Sequence, residues 1–123
     1  MMDNLDYNKV FATKTKQIAI SIIKEFSQLP YNEAFSVIRK QVYRSSTSMA
    51  ANYRAMCRAR SNKEKYAKIC IVVEEADETV FWLEIIEEIK MTNNIDLIKE
   101  LKSEAEEILK VMSSYKKKVA ADL

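Results

Sequence analysis

Apolar residues recur at three- and four-residue steps through four stretches of this chain, the period of helices that bury one face. In the first stretch, Val10, Phe11, Ile18, Ile22, Phe26 and Leu29 carry the repeat, and Lys14, Lys16, Lys24 and Glu25 fall mostly elsewhere. This predicts a helix over about residues 6–29. Asp3, Asn4 and Asp6 offer N-cap oxygens, and Pro30 ends the helix because the residue before a proline avoids the α region. The second helix is predicted over 32–58, started by Asn32 or by the turn at Pro30. The third is predicted over 61–91, opened by the capping-box pattern Ser61-Asn62-Lys63-Glu64. The break at Thr92-Asn93-Asn94 uses asparagine, the usual substitute for glycine past a helix end. The fourth helix is predicted over 95–120, with Ile98, Leu101, Ala105, Ile108, Met112, Tyr115 and Val119 in one seam. Four amphipathic helices joined by short links predict an all-α fold, an antiparallel up-down-up-down four-helix bundle in one domain, 1–123.

The second helix has two unlike sides. Phe35, Ile38, Val42, Met49, Tyr53 and Met56 make the apolar one. Lys40, Arg44, Thr47, Ser48, Ala51, Arg54, Ala55 and Arg58 make the other, small in the middle and cationic at both ends. Small residues let a flat ligand or another backbone come close, and flanking cations suit phosphate. Ser46, Thr47 and Ser48 are poor helix formers, so packing must hold them. They either face another helix tightly or offer hydroxyls to phosphate. Arg58 and Arg60 lie at the corner before a helix N-terminus, whose free N–H groups also attract anions, although a solvated corner reads the same way.

The third helix carries a main seam of Tyr66, Ile69, Val73, Ala76, Val80 and Leu83, and a second patch of Phe81, Trp82, Ile85, Ile86 and Ile89. A helix apolar on two sides has two neighbours. The second patch is therefore expected to meet another copy of the chain; the alternative is a helix sunk deeper in its own core. The run Glu74-Glu75-Ala76-Asp77-Glu78 is expected to pair with arginines of the second helix, in the same copy or a neighbouring one.

Composition narrows the function classes. There is no Gly, which argues against β folds and glycine-rich phosphate loops, and there is no His. The commonest general base and metal ligand is thus missing, and no carboxylate constellation replaces it, so an enzyme, a metal and a cofactor are not expected. Cys57 and Cys70 fit no metal spacing and read as small buried groups in a reducing, cytoplasmic setting. The longest apolar run, 69–73, is far short of a membrane span. Net charge is only +2, yet residues 31–70 carry nine Lys/Arg against two acids, and residues 71–90 carry seven acids against one Lys. That split marks either a basic face for nucleic acid or two elements that neutralise each other. Lys40, Arg44, Arg54, Arg58, Arg60 and Lys63 are the candidate nucleic-acid contacts. Few aromatics stand among them, so backbone binding rather than base readout is expected.

The middle of the chain resembles a known family. Leu29-Pro30 with Glu33, the run Ile38-Arg39-Lys40-Gln41-Val42, then Arg44-Ser45-Ser46-Thr47-Ser48 and Ala50-Ala51-Asn52 carry the resemblance. It continues through Arg58, Arg60-Ser61, Glu64 and the acids before Trp82-Leu83-Glu84. These are similar to the four-helix-bundle proteins encoded in intervening sequences of bacterial 23S ribosomal RNA genes. Such proteins often show Ala-Asn-Ile-x-Glu-Gly; here Ala51-Asn52-Tyr53-Arg54-Ala55 stands in that place, without the acid and glycine. The resemblance implies a left-handed bundle assembled into a ring-shaped homo-oligomer, commonly a pentamer, with no catalytic residues. A similar protein is an accessory subunit of a reverse transcriptase in diversity-generating retroelements. The expected function is a non-enzymatic, sequence-independent nucleic-acid-binding ring, with RNA favoured over DNA. The alternative is a protein-interaction adaptor or accessory subunit that binds a protein client and does not touch nucleic acid.

Overall fold

The four helices stand in the computed structural model, which describes the backbone of residues 4–123 and the side chains of residues 8–123. They are α1 (Asn4–Ser27), α2 (Glu33–Cys57), α3 (Asn62–Glu88) and α4 (Ile95–Ala121). Among the described residues there is no strand. Each helix packs on the next in the chain and α1 returns to α4, so α1 and α3 are diagonal, as are α2 and α4. The expected four-helix bundle is present. The side chains of Asp3, Asn4 and Asp6, expected to cap α1, lie outside the described residues.

The core follows the sequence repeats closely. Ile18, Ile22 and Phe26 of α1, Val42, Met49, Tyr53 and Met56 of α2, Ile69, Ala76 and Leu83 of α3, and Ile98, Ala105, Ile108 and Met112 of α4 are buried together. Removing such a side chain from a packed interior costs about 2–5 kcal/mol. Phe11 meets Tyr53 edge to face across the α1–α2 seam, with ring centroids 6.3 Å apart. Val10 departs from expectation: it is 43% exposed, while Phe11 and, one turn after it, Thr15 point inward. The Thr15 hydroxyl donates back to the Phe11 carbonyl at 2.8 Å, so burying it leaves no orphaned donor.

Short polar devices set the helix ends. Asn32 Oδ1 accepts from the Phe35 N–H at 3.0 Å, and Ser61 Oγ accepts from the Glu64 N–H at 3.1 Å, which are the N-caps expected for α2 and α3. α1 stops at Ser27, two residues earlier than predicted, and Arg39 Nη2 reaches from α2 to donate to the Pro30 carbonyl at 3.2 Å.

The end of α3 corrects a sequence expectation. The asparagines do not make the turn. Lys90 does, with φ of 52°, among the described residues the one side-chain-bearing position in the left-handed region. The Met91 N–H bonds to the Ile86 carbonyl and the Lys90 N–H to the Glu87 carbonyl, at 3.1 and 3.2 Å. That pair of bonds is the Schellman closure, and Met91 is buried as its apolar partner. A Cβ in that conformation costs about 1 kcal/mol. Lys90→Gly should therefore raise stability by about 0.5–1 kcal/mol, seen as a higher urea midpoint at unchanged slope. Lys90→Ala, which keeps the Cβ, should give no gain; an equal gain from both would place the effect in the lysine charge instead.

Candidate nucleic-acid interface

α2 sends side chains to three places: the core, α3, and an open cleft against α1. On the α3 side its small residues let the helices close up. Ser45 and Ser46 are buried, and Ser45 Oγ lies 2.9 Å from Thr79 Oγ1 of α3. Of the three residues Ser46, Thr47 and Ser48, the tight-packing reading holds for Ser46, which is buried. Thr47 is exposed, and its hydroxyl is engaged by its own helix, donating to the Tyr43 carbonyl at 2.6 Å.

Next to that seam Arg44 spans to α3. Its Nη1 donates to Glu75 at 2.9 Å and its Nη2 to Glu78. Glu78 also accepts from Trp82 Nε1 at 3.3 Å. The hydrogen bond from Arg44 holds the Glu78 carboxyl below its usual range, and the same bond pushes the guanidinium up. Arg44, one of the nucleic-acid candidates, is thus matched to two carboxylates of its own chain. It also answers for part of the acidic run, since the pairing partner is α2 of the same copy.

The cleft between α1 and α2 is about 640 Å³ and open to solvent. The helices are antiparallel, so the start of α1 lies opposite the end of α2. Ala12, Ala50 and Ala51 give it a small-residue floor. Lys9, Lys16, Arg54 and Arg58 stand around it, and among the described residues no acid lines it. None of these four cations makes an ion pair among the described residues. Lys9 and Lys16 are two turns apart on one side of α1, about 10 Å along the axis. Cys57 completes the wall as a free, half-buried thiol that burial pushes up, so it is not an activated nucleophile.

The structure sorts the remaining candidates. Arg54 and Arg58 belong to the cleft. Arg60 and Lys63 are exposed at the α2–α3 corner, where Arg60 approaches Glu64 at 3.8 Å without burial. Lys40 is exposed further up α2, outside the cleft. Lys9 and Lys16 are the cleft cations that sequence reasoning missed. Their two-turn spacing was visible, but which helix would face them was not.

The apolar patch on α3 divides in two. Ile86 is fully buried in its own core, which corrects its assignment to an interface between copies. Trp82 packs partly on that core, and Ile85 is half-buried. Phe81 and Ile89 remain 51% and 43% exposed. Phe81 stands edge-on to Trp82 at 5.0 Å and borders a second depression of about 450 Å³, lined by Glu74, Asp77, Glu78 and Glu84. The molecule thus carries a cationic cleft on α1–α2 and an acidic surface on α3.

Arg44→Met should lower stability at neutral pH by about 1–2 kcal/mol, because it strands the buried Glu75 carboxylate. Glu78→Gln should cost less, under ~1 kcal/mol, since its partner is half exposed. Glu78 has a lowered folded pKa, so its contribution is full above the ordinary carboxylate range and fades as pH falls through the folded value. The gap between the native chain and Glu78→Gln should then begin to narrow at about pH 4.3 and close only below the folded value. Urea unfolding over an acid pH series reads this directly; a gap that persists at the acid end would remove the Arg44–Glu78 bond as its cause.

Comparisons with known proteins agree with this architecture. No curated protein matches the chain. A crystal structure of a protein of unknown function from the S23 ribosomal protein family, from Bacteroides thetaiotaomicron, superposes with a TM-score of 0.71 at 26% identity. The match covers 89% of this chain and 97% of that one. Residues 8–114 match the family described as 23S rRNA-intervening sequence protein, a span that takes in the α1 side of the cleft, all of α2 and α3, and most of α4. The chain belongs to the 23S rRNA-intervening sequence protein family.

Proposed function

We propose that this protein is a non-enzymatic nucleic-acid-binding protein that holds the phosphate backbone in the α1–α2 cleft and works as a ring-shaped homo-oligomer. The observation that carries the reading is the set of four cations, Lys9, Lys16, Arg54 and Arg58, around a floor of alanines with no acid among the described residues there. Like charges gathered without partners cost stability, so a protein that keeps them has an anion to meet. The small floor lets a sugar–phosphate chain lie close, and the guanidiniums suit phosphate oxygens. Among the described residues no aromatic lines the cleft, which supports contact with the backbone rather than stacking or reading of bases. The ribosomal wording carried by the family and by the similar structure favours RNA. Exposed Phe81 and Ile89 on α3 support contact between copies.

If each copy neutralises about three phosphates, affinity for single-stranded RNA should fall with a log–log salt slope of roughly −2 per engaged copy. Arg54→Glu with Arg58→Glu should weaken binding at least tenfold, equally across unrelated sequences, and flatten that slope. Lys40→Glu, outside the cleft, should change it little. Fluorescence anisotropy over a salt series makes the measurement. Loss of affinity confined to the Lys40 variant, or a preference for one sequence, would move the site elsewhere.

A further inference from the structure

The cations of the α1–α2 cleft are ordered along it as well as around it. Phe11 of α1 meets Tyr53 of α2, which fixes the residues that stand level on the two helices. The helices are antiparallel and rise about 1.5 Å per residue. Counted from the Phe11–Tyr53 level, Arg58 lies about 7 Å toward the start of α1, and Lys9 and Arg54 lie about 2–3 Å the same way. Lys16 lies about 7 Å the other way. The cleft therefore holds three levels of positive charge in a run of about 15 Å, and its middle level is cationic on both walls. Thr13 and Asn8 stand between the levels and supply a hydroxyl and an amide, groups that bond to sugar and phosphate oxygens.

We propose that the cleft is a single-strand site: each copy takes one unpaired strand, laid parallel to α1 and α2, with consecutive phosphates at the three cationic levels, and a duplex does not fit. This rests on the cleft being the anion site and adds the strand class, its direction and the length held per copy. Packed helices stand about 8–10 Å apart, so the trough between α1 and α2 is one backbone wide. An unpaired strand has free torsions. It can lower its sugars onto Ala12, Ala50 and Ala51 while its phosphates turn to either wall. A duplex carries paired bases behind each backbone and cannot flatten. It touches the rims with one phosphate ridge and leaves the alanine floor empty. Duplex charge is the denser of the two, so charge alone favours the duplex. A preference for the single strand thus reports the shape of the cleft.

The test uses the native chain and two probes at one fixed salt concentration. One is a fluorescent twelve-residue RNA chosen not to fold on itself, and the other is the same strand annealed to its complement. Anisotropy should show the duplex binding at least tenfold more weakly. Cys57 reports where the strand lies, because it is a half-buried thiol in the cleft wall, whereas Cys70 is on α3 and does not line the cleft. A saturating single strand should slow alkylation of Cys57 by iodoacetamide several-fold and leave Cys70 unchanged, read thiol by thiol in mass spectrometry. A duplex that binds as tightly as the single strand while protecting Cys57 overturns the single-strand proposal and leaves the cleft as an anion site. A single strand that binds without protecting Cys57, or that protects Cys57 and Cys70 equally, removes nucleic acid from the cleft and overturns both readings. Absence of binding by either probe at micromolar protein does the same.

Discussion

The approach of α2 to α3 is the contact that the rest of the molecule follows. It depends on residues that helices usually avoid. Ser45 is buried on α2 and Thr79 is buried opposite, with the two hydroxyls in contact. Small polar side chains bring backbones together only where each hydroxyl has an acceptor, and here the preceding turn of each helix supplies one. Beside this seam the Arg44 fork ties down Glu75, a carboxylate that could not otherwise be buried. The seam fixes the rotation of α2 about its axis. With one flank committed to α3 and the apolar stripe committed to the core, the remaining flank with Ala50, Ala51, Arg54 and Arg58 must face α1.

That rotation separates the charges. One arginine of α2 is consumed by α3, and the others are left over the α1–α2 cleft. On α3 the same geometry uses Glu75 and Glu78 and leaves Glu74 and Asp77 outside. The near-zero net charge of the chain conceals two surfaces of opposite sign. Sign and location matter here more than total, because screened charges act over about 10 Å at ordinary ionic strength and the two surfaces lie on different sides of the bundle.

Helix number, order and core were legible in the sequence because period is a local property. The apolar stripes of α2 and α4 are buried almost residue for residue. Asn32 and Ser61 were legible as caps because a cap needs only a side-chain oxygen and a neighbouring N–H. What was not legible depended on partners distant in sequence. Lys9 and Lys16 become half of a cleft only once α1 lies against the end of α2. Ile86 read as part of an exposed patch because helical phase shows that a second apolar side exists, not whether α2, α4 or another molecule covers it. Arg44 and Arg54 share a side of α2 in projection, yet a neighbour with carboxylates claims one and a neighbour with lysines faces the other. Lys90 was invisible for a different reason: αL is a rare state for lysine, and composition favoured the asparagines three and four residues on.

A surface of unpaired cations is a standing cost, and a chain can limit that cost in two ways. It can lodge acids nearby within the fold, as the Arg44 site does, which ends the cations' availability. Or it can keep acids on another face and leave the cations to an outside anion. The described residues show both kinds of cation: the Arg44 pairs are shielded on one side by burial of Glu75 and by Trp82, while Arg54 and Arg58 are exposed with no described acid lining their cleft. Burial strengthens the first kind of pair, and exposure keeps any pair made by the second kind weak, salt-sensitive and reversible.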